Sequence, residues 1–471
     1  MLDLVILFFS ARVECRRKDF LMTYEIRGVK LTGVVAAVSA VVFLASGCGA
    51  SSASSDSGSD STNDKVTITF AGWSLSQTPE FKTLADGFHK AHPNITVKLK
   101  EYSADDYDKQ LTADISAGAQ PDVFPMKNLQ KYYTYGHESG GLADLSSIAD
   151  SYKDNKYIDV SQYKLDGKYF AMPYRSDAWV LFYNKDMFKK AGVAEPNAKW
   201  TWDDYTKAAA ELKEKLPSAG YDSNSVYPLY QHNWQSVIQS FALAQSGESP
   251  QNTFFKANFN YMKPYYQRAL DWQKKGYTID WNTSFTTKVQ YQAQFGTQKA
   301  AMMPMGTWYA ATLVAQQQSG DAQKFEWGMA PIPQNPDMKL PSKPITFGDP
   351  TGLAVSAKDT GSKLAAAKEF VKWASGEGGS VALAKIATTP AYFSPKVQDT
   401  FFAAKGMPQD QLSKDAWSKH DTKAENPVGP GTDTIQSDLK DANSAIMTGS
   451  SSINAALKDA SEKVKSSGVL Q

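Results

Sequence analysis

Eleven tryptophans and 23 tyrosines stand in a chain of 471 residues, many beside carboxylates, amides or arginine in segments that read as loops. Trp73 ends the run AGW, Arg175 and Asp177 come just before Trp179, and His232, Asn233 and Trp234 are consecutive. Trp281 precedes Asn282, Trp308 closes MPMGTW, Asp349 lies in FGDPTG, and Asp122 follows Pro121. An aromatic ring offers its face to C–H groups, while Asp, Asn and Arg side chains can hydrogen-bond pairs of neighbouring hydroxyls. Together these groups can hold a polyhydroxylated solute in a cleft. Each also has a plainer role open to it. Trp179 alternates with Val180 and could pack in a core. Asp349 could close an Asx-type turn ahead of Pro350, and Asp122 could serve the turn before a strand. Met302, Met303 and Met305 read as core.

Covalent or metal chemistry finds little support. Both cysteines, Cys15 and Cys48, fall in the first 50 residues, so the body of the chain has no disulfide and no thiol nucleophile. None of the five histidines has a zinc-binding spacing. No G-x-S-x-G, phosphate-binding loop or dinucleotide fingerprint stands in a plausible context, and no metal or cofactor is expected. A glycoside-active enzyme, with two acids about 5–10 Å apart, is the rival class. Fifty basic residues against 49 acidic ones give a formal charge of +1. Without a basic block flanked by aromatics, nothing points to nucleic acid.

The elements that must position these residues begin near residue 65. Before it, residues 31–44 form an uncharged apolar run behind Arg27 and Lys30, the layout of a secretory signal. At ~1.5 Å per residue the run would reach about 21 Å, short of the ~30 Å a spanning helix needs. The sequence Ala-Ser-Gly-Cys ending at Cys48 resembles a lipobox, apart from Leu44 standing four residues before the cysteine instead of three. Residues 1–47 are thus read as signal, with 1–21 upstream of a true start at Met22. Cys48 is read as the lipidated residue, and 48–64 as a flexible serine-rich tether. In the body, VTITF alternates as a strand, a helix follows with Thr78 as cap and Pro79 at its first position, and Ile95, Val97 and Leu99 alternate again. A helix ending at Gly118 and a short strand at 122–126 complete an α/β unit with a mostly parallel sheet. Later come a helix closed by Gly192, a capping-box start at Thr201–Asp204, and strands at 300–308 and 327–334. A Gly/Pro turn over 347–352 leads into the strand LAVSA, and amphipathic helices follow.

Taken in order, ITFAGWS, GAQPD, LDGKYFAMPYRSDAWVLFYNKDMFKKAGV, TWDDYTKAAAEL, KAAMMPMGTWY, APIPQ, FGDPTGLAVSA and AAAKEFVKWAS resemble the family 1 extracellular solute-binding proteins, receptors of ABC-type sugar importers. The resemblance covers nearly all of residues 65–471. It implies an α/β, two-lobed, periplasmic-binding-protein-like fold of type II, with a ligand cleft between lobes joined by crossing strands. The expected lobes are 65–174 plus about 331–390, and 175–330 plus about 391–471. Passages between them are expected near 173–177, near 330–333, and within 390–430. The implied function is capture of a carbohydrate, an oligosaccharide, and its delivery to ABC permease subunits. The protein would be a non-enzymatic monomer, lipid-anchored on the extracellular face of a bacterial membrane. A receptor for a non-sugar solute is the alternative. By resemblance Trp308 is the stacking aromatic at a strand end, with Trp73, Asp122, Arg175, Asp177, Trp179, Trp234, Trp281 and Asp349 as the other ligand-binding candidates.

Overall fold

In VTITF the threonines alternate with Val66, Ile68 and Phe70, so one face of the strand is apolar. A computed structural model of the protein describes residues 65–470 except 77 and 105, and its first sheet is built on that strand. The strands are, in chain order, β1 (Val66–Trp73), β2 (Ile95–Tyr102), β3 (Val123–Met126), the small hairpin β4 (Lys164–Leu165) and β5 (Lys168–Tyr169), and β6 (Ala171–Ser176). There follow β7 (Trp179–Asn184), β8 (Tyr227–Leu229), β9 (Ala300–Gly306), β10 (Trp327–Ala330), β11 (Ile345–Phe347), β12 (Pro350–Val355) and β13 (Asp421–Lys423). The signal, Cys48 and the tether lie outside the described residues.

The first sheet has the order β2-β1-β3-β12-β6, with β1 parallel to β2 and β3, and β12 antiparallel to β3 and β6. On one face Ile68, Phe70, Val123, Leu353 and Val355 bury against Phe81, Phe88 and Phe370 of the helices Glu80–Ala91 and Gly361–Ser375. On the other, Ala71, Phe124, Met126 and Ala354 pack with Tyr107, Leu111, Tyr132 and Tyr163. The helix after β1 starts without a side-chain cap, and Pro79 rather than Thr78 takes the cap position. Gly118 ends the next helix, Tyr107–Ala117, in the left-handed region at φ 66°, where glycine avoids the Cβ clash.

The second sheet has the order β10-β7-β9-β8. All of WVLFYN in β7 and all of AAMMPMG in β9 is buried, the continuous apolar run of strands covered on both faces. Met302, Met303 and Met305 are core. The strand expected at 300–308 stops at Gly306, and Trp308 opens the helix Trp308–Ser319. The capping box forms as read, Thr201 and Asp204 bonding reciprocally.

The chain passes between the sheets three times. The first passage runs from β6 into β7 at 176–179. The second lies at 347–350, later than the 330–333 expected. Prolines end β10 at Ala330, but the segment stays with the second sheet because buried amides hold it. Gln245 Nε2 donates to Pro333 O and Ile345 O at 3.0 and 3.1 Å, and Gln334 bridges Thr201. The expected Gly/Pro turn shrinks to Gly348 and Asp349, between β11 and β12. The third passage is at 390–394, where Ala391 N donates to Tyr174 O and Phe393 packs on Trp417. The first two passages touch: a Cβ on Gly348 would fall on the carbonyl of Asp177, so only glycine fits there.

Candidate functional site

Three groups of candidate residues surround these passages. The first is an aromatic wall at the end of the second sheet. Trp308 follows β9 and folds back over Gly306, where a Cβ would fall inside its indole ring. The glycine in MPMGTW is thus the seat of the tryptophan. Trp179, from the start of β7, stands at 89° to Trp308 with ring centres 5.5 Å apart. Trp234 lies 6.4 Å from both and is 42% exposed. His232 and Tyr291 complete the wall, their ring centres 4.4 and 5.9 Å from that of Trp234. Trp179 is fully buried and backs the wall, while Trp308 and Trp234 keep open surface.

The second group is polar and links the two sheets. Arg175 at the end of β6 donates to Glu80 at 2.6 Å and to Asp177 at 2.8 Å. Tyr174 donates to the other oxygen of Glu80 at 2.9 Å. Thr307 donates to Asp177 Oδ1 at 2.9 Å, and its own backbone N–H reaches Ala178 O. Burial works against the guanidinium, but Asp177 and Glu80 outweigh it and hold its pKa above the ordinary value. Arg175 is therefore a buried knot between the helix after β1, the first passage and the residue before Trp308. Both oxygens of each carboxylate accept a hydrogen bond within the fold.

Asp349 forms the third group, with Glu425. Its carboxylate accepts from Leu129 N at 3.0 Å, Glu425 N at 2.8 Å, Asn426 N at 3.1 Å and Asn426 Nδ2 at 2.7 Å. It ties the loop after β3 to the segment after β13. The neighbouring Glu425 carboxyl is pushed up to about 8, first by burial and then by the charge of Asp349. In the first sheet, Trp73 ends β1 half-buried, edge-on to Phe81 and Tyr107 at 4.8 and 5.2 Å, with Lys127 Nζ 5.2 Å from its ring centre.

Two candidates sit elsewhere. Asp122 is at the start of β3, away from the end of β1 that carries Trp73. It accepts from Thr69 N at 2.7 Å and pairs with Lys363 at 2.6 Å. Burial opposes its charge, yet the ammonium and the Thr69 bonds hold its pKa below the usual range. It fastens β1, β3 and a helix, and both its oxygens are engaged within the fold. Trp281 is 7% exposed; it stacks on Phe285 at 4.6 Å and donates to Asn233 O at 3.3 Å. It supports the His232–Trp234 loop from behind. Sequence reading did not single out Glu80, Tyr291 or Glu425, each remote in sequence from its partners. Among the described residues no three His, Cys, Asp or Glu gather as a metal site, and no helix is long and apolar enough to cross a membrane.

Comparison with known proteins places this geometry. Residues 72–381 match the family model of the bacterial extracellular solute-binding proteins. The chain is 30% identical over 152 residues to a binding protein of Brucella abortus, covering 32% of this chain and 36% of that one. It is 26% identical over 362 residues to the multiple sugar-binding protein of Streptococcus mutans, covering 73% of this chain and 78% of that one. Among solved structures, a sugar transporter from Rhizobium etli in an open conformation superposes with a TM-score of 0.71 at 29% identity, over 85% of this chain and 99% of that one.

Proposed function

The chain belongs to the bacterial extracellular solute-binding proteins, and we propose that it captures a neutral oligosaccharide and delivers it to the permease subunits of an ABC importer. The observation that carries this reading is the wall of Trp308, Trp234, Tyr291 and His232, with Trp234 42% exposed. Rings standing at steep angles to one another form a corner that accepts successive C–H faces of a chain of sugars. A phosphate ester or other anion would need an uncommitted cation in the wall, and Arg175 is held by Glu80 and Asp177. The sugar-binding relative from Streptococcus mutans supports the same reading. In this reading the protein binds without turnover; Asp177, which accepts from Thr307 beside Trp308, is held by Arg175.

In this reading the protein works as a monomer held by lipid on Cys48 at the outer face of the cell membrane, with residues 48–64 as tether. The solute draws the two lobes together about the passages at 176–179 and 347–350, and the closed form is what the permease recognises. A ligand that binds only the folded protein raises its melting temperature. Thermal-shift measurements with maltotriose, raffinose, chitotriose, spermidine and glycerol 3-phosphate test the solute class. A rise with at least one saccharide is expected. A rise with spermidine or glycerol 3-phosphate alone overturns the carbohydrate reading. Changing Cys48 to serine should release the protein from the membrane fraction, and unchanged retention would refute the anchor.

A further inference from the structure

His232 is 4% exposed and carries no charged partner. Its Nδ1 lies 2.9 Å from the hydroxyl of Tyr230. The same hydroxyl lies 3.2 Å from Val289 O and 3.3 Å from Ser284 Oγ. Counting protons settles who donates. Val289 O can only accept, and Tyr230 has one proton to give. Ser284 Oγ takes a bond from Asn233 Nδ2 at 3.4 Å, which leaves its own proton for Tyr230. If Tyr230 donates to Val289, its oxygen accepts from Ser284 and from His232, and all three contacts are satisfied. If it donates instead to His232, Val289 O faces an oxygen with no proton between them. The first arrangement puts the imidazole proton on Nδ1 and leaves Nε2 a bare acceptor.

Nε2 has no partner among the described residues, and it is not one of the unpaired atoms sealed from solvent. The ring centre of Trp234, the most open aromatic of the wall, is 4.4 Å away. A solute stacked on Trp234 on the side of His232 would meet Nε2. Indole N–H groups can only donate, and that of Trp179 is sealed from solvent, so His232 adds an acceptor beside Trp234.

We propose that His232 is a specificity-determining residue: a neutral imidazole, locked by Tyr230 with its proton on Nδ1, whose Nε2 accepts a hydroxyl proton from the saccharide seated against Trp234. The proposal rests on the carbohydrate reading above. Burial supports it by lowering the imidazole pKa to about 4, so the acceptor persists at neutral pH. The titratable groups that face the ring are Tyr230 and Tyr291, both phenols pushed up to about 12 by burial.

Two measurements on the full chain test it. Long-range nitrogen–proton NMR of histidine-labelled protein at pH 7 should show His232 protonated at Nδ1 only; a proton on Nε2 overturns the proposal. Titration calorimetry with maltotriose, raffinose and chitotriose should show His232→Phe, which keeps a ring but removes the acceptor, weakening the bound saccharide at least roughly tenfold. Tyr230→Phe should free the tautomer and weaken the same saccharide by a smaller factor. A folded His232→Phe protein with wild-type affinity also overturns the proposal. Should the wild type bind none of the three sugars, the carbohydrate reading fails instead, and the NMR result still decides the state of His232.

Discussion

Arg175 and Trp308 belong to neighbouring parts of the molecule that behave in opposite ways. Around Arg175 every charge is matched: Glu80 and Asp177 take two of its five N–H donors, and Tyr174 and Thr307 donate to the remaining carboxylate oxygens. Around Trp308 the rings meet edge to face and leave open surface, with Trp234 half in solvent. The difference follows from the cost of burial. A buried ion must be paired within the fold, so the two carboxylates of the knot have little left to offer a solute. An aromatic at a strand end can remain half-open at small cost, and it keeps a face for a ligand. Arg175, Asp177, Asp122 and Asp349 thus spend bonds within the fold, while Trp308 and Trp234 keep open surface.

The largest effect should come from cutting the knot. Arg175→Met leaves Glu80 and Asp177 buried without their cation, and removal of one partner of a buried pair costs roughly 3–5 kcal/mol. Chemical denaturation should show this loss. A variant as stable as the wild type would mean that the two carboxylates reach solvent and that the contrast with the wall is false.

Next comes the wall itself. Trp308→Ala removes an anchor of the kind worth about 2 kcal/mol or more in a binding site, so saccharide affinity should fall by at least roughly tenfold. Stability should change less than in Arg175→Met, since Trp308 is only partly buried. Calorimetry and denaturation on the same sample separate the two effects. A large loss of stability with unchanged affinity would move Trp308 into the architecture.

A third test uses pH, because His232 and Glu425 pull in opposite directions. The folded pKa of His232, about 4, is below its ordinary 6.5. Its contribution to stability is therefore present above pH 6.5 and lost as pH falls toward 4. The folded pKa of Glu425, about 8, is above its ordinary 4.5. Its contribution is full below pH 4.5 and lost as pH rises through 8. Between pH 6.5 and 8 His232 is neutral in both states, so the fall in melting temperature there belongs chiefly to Glu425. Glu425→Gln should flatten that stretch and steepen the rise between pH 4.5 and 6.5, where the two groups offset each other. An alkaline slope that persists in the variant would place its source elsewhere.

Much of this was legible in the sequence. Strands and helices around both sheets follow from short-range signals, such as the alternation in VTITF and Gly118 for the first and the Thr201–Asp204 box for the second. The aromatic wall was legible through Trp308 and Trp234, and the family resemblance pointed to a first passage near 173–177. The second passage was misplaced because Gln245 and Gln334 hold the segment after β10, and a long-range amide pair leaves no local pattern. Glu80 was missed for the same reason: it is 95 residues from Arg175. Asp122 looked like a site residue because its partner Lys363 is equally remote. Local chemistry announces residues that act alone; the partners that use them up appear only when the chain is folded.

The smallest effect sharpens the boundary of the wall. Trp281 touches it only from behind, through one N–H donated to Asn233 O at 3.3 Å and a ring stacked on Phe285. Trp281→Phe keeps the stack and removes the donor. One such bond contributes about 1 kcal/mol, and Asn233 Nδ2 still holds Ser284 O and Oγ at 3.3 and 3.4 Å. The loop should keep its place, so saccharide affinity should stay within about twofold while stability drops slightly. If calorimetry instead shows a loss near that of Trp308→Ala, the 3.3 Å bond sets the position of His232 and Trp234, and the wall extends back to Trp281.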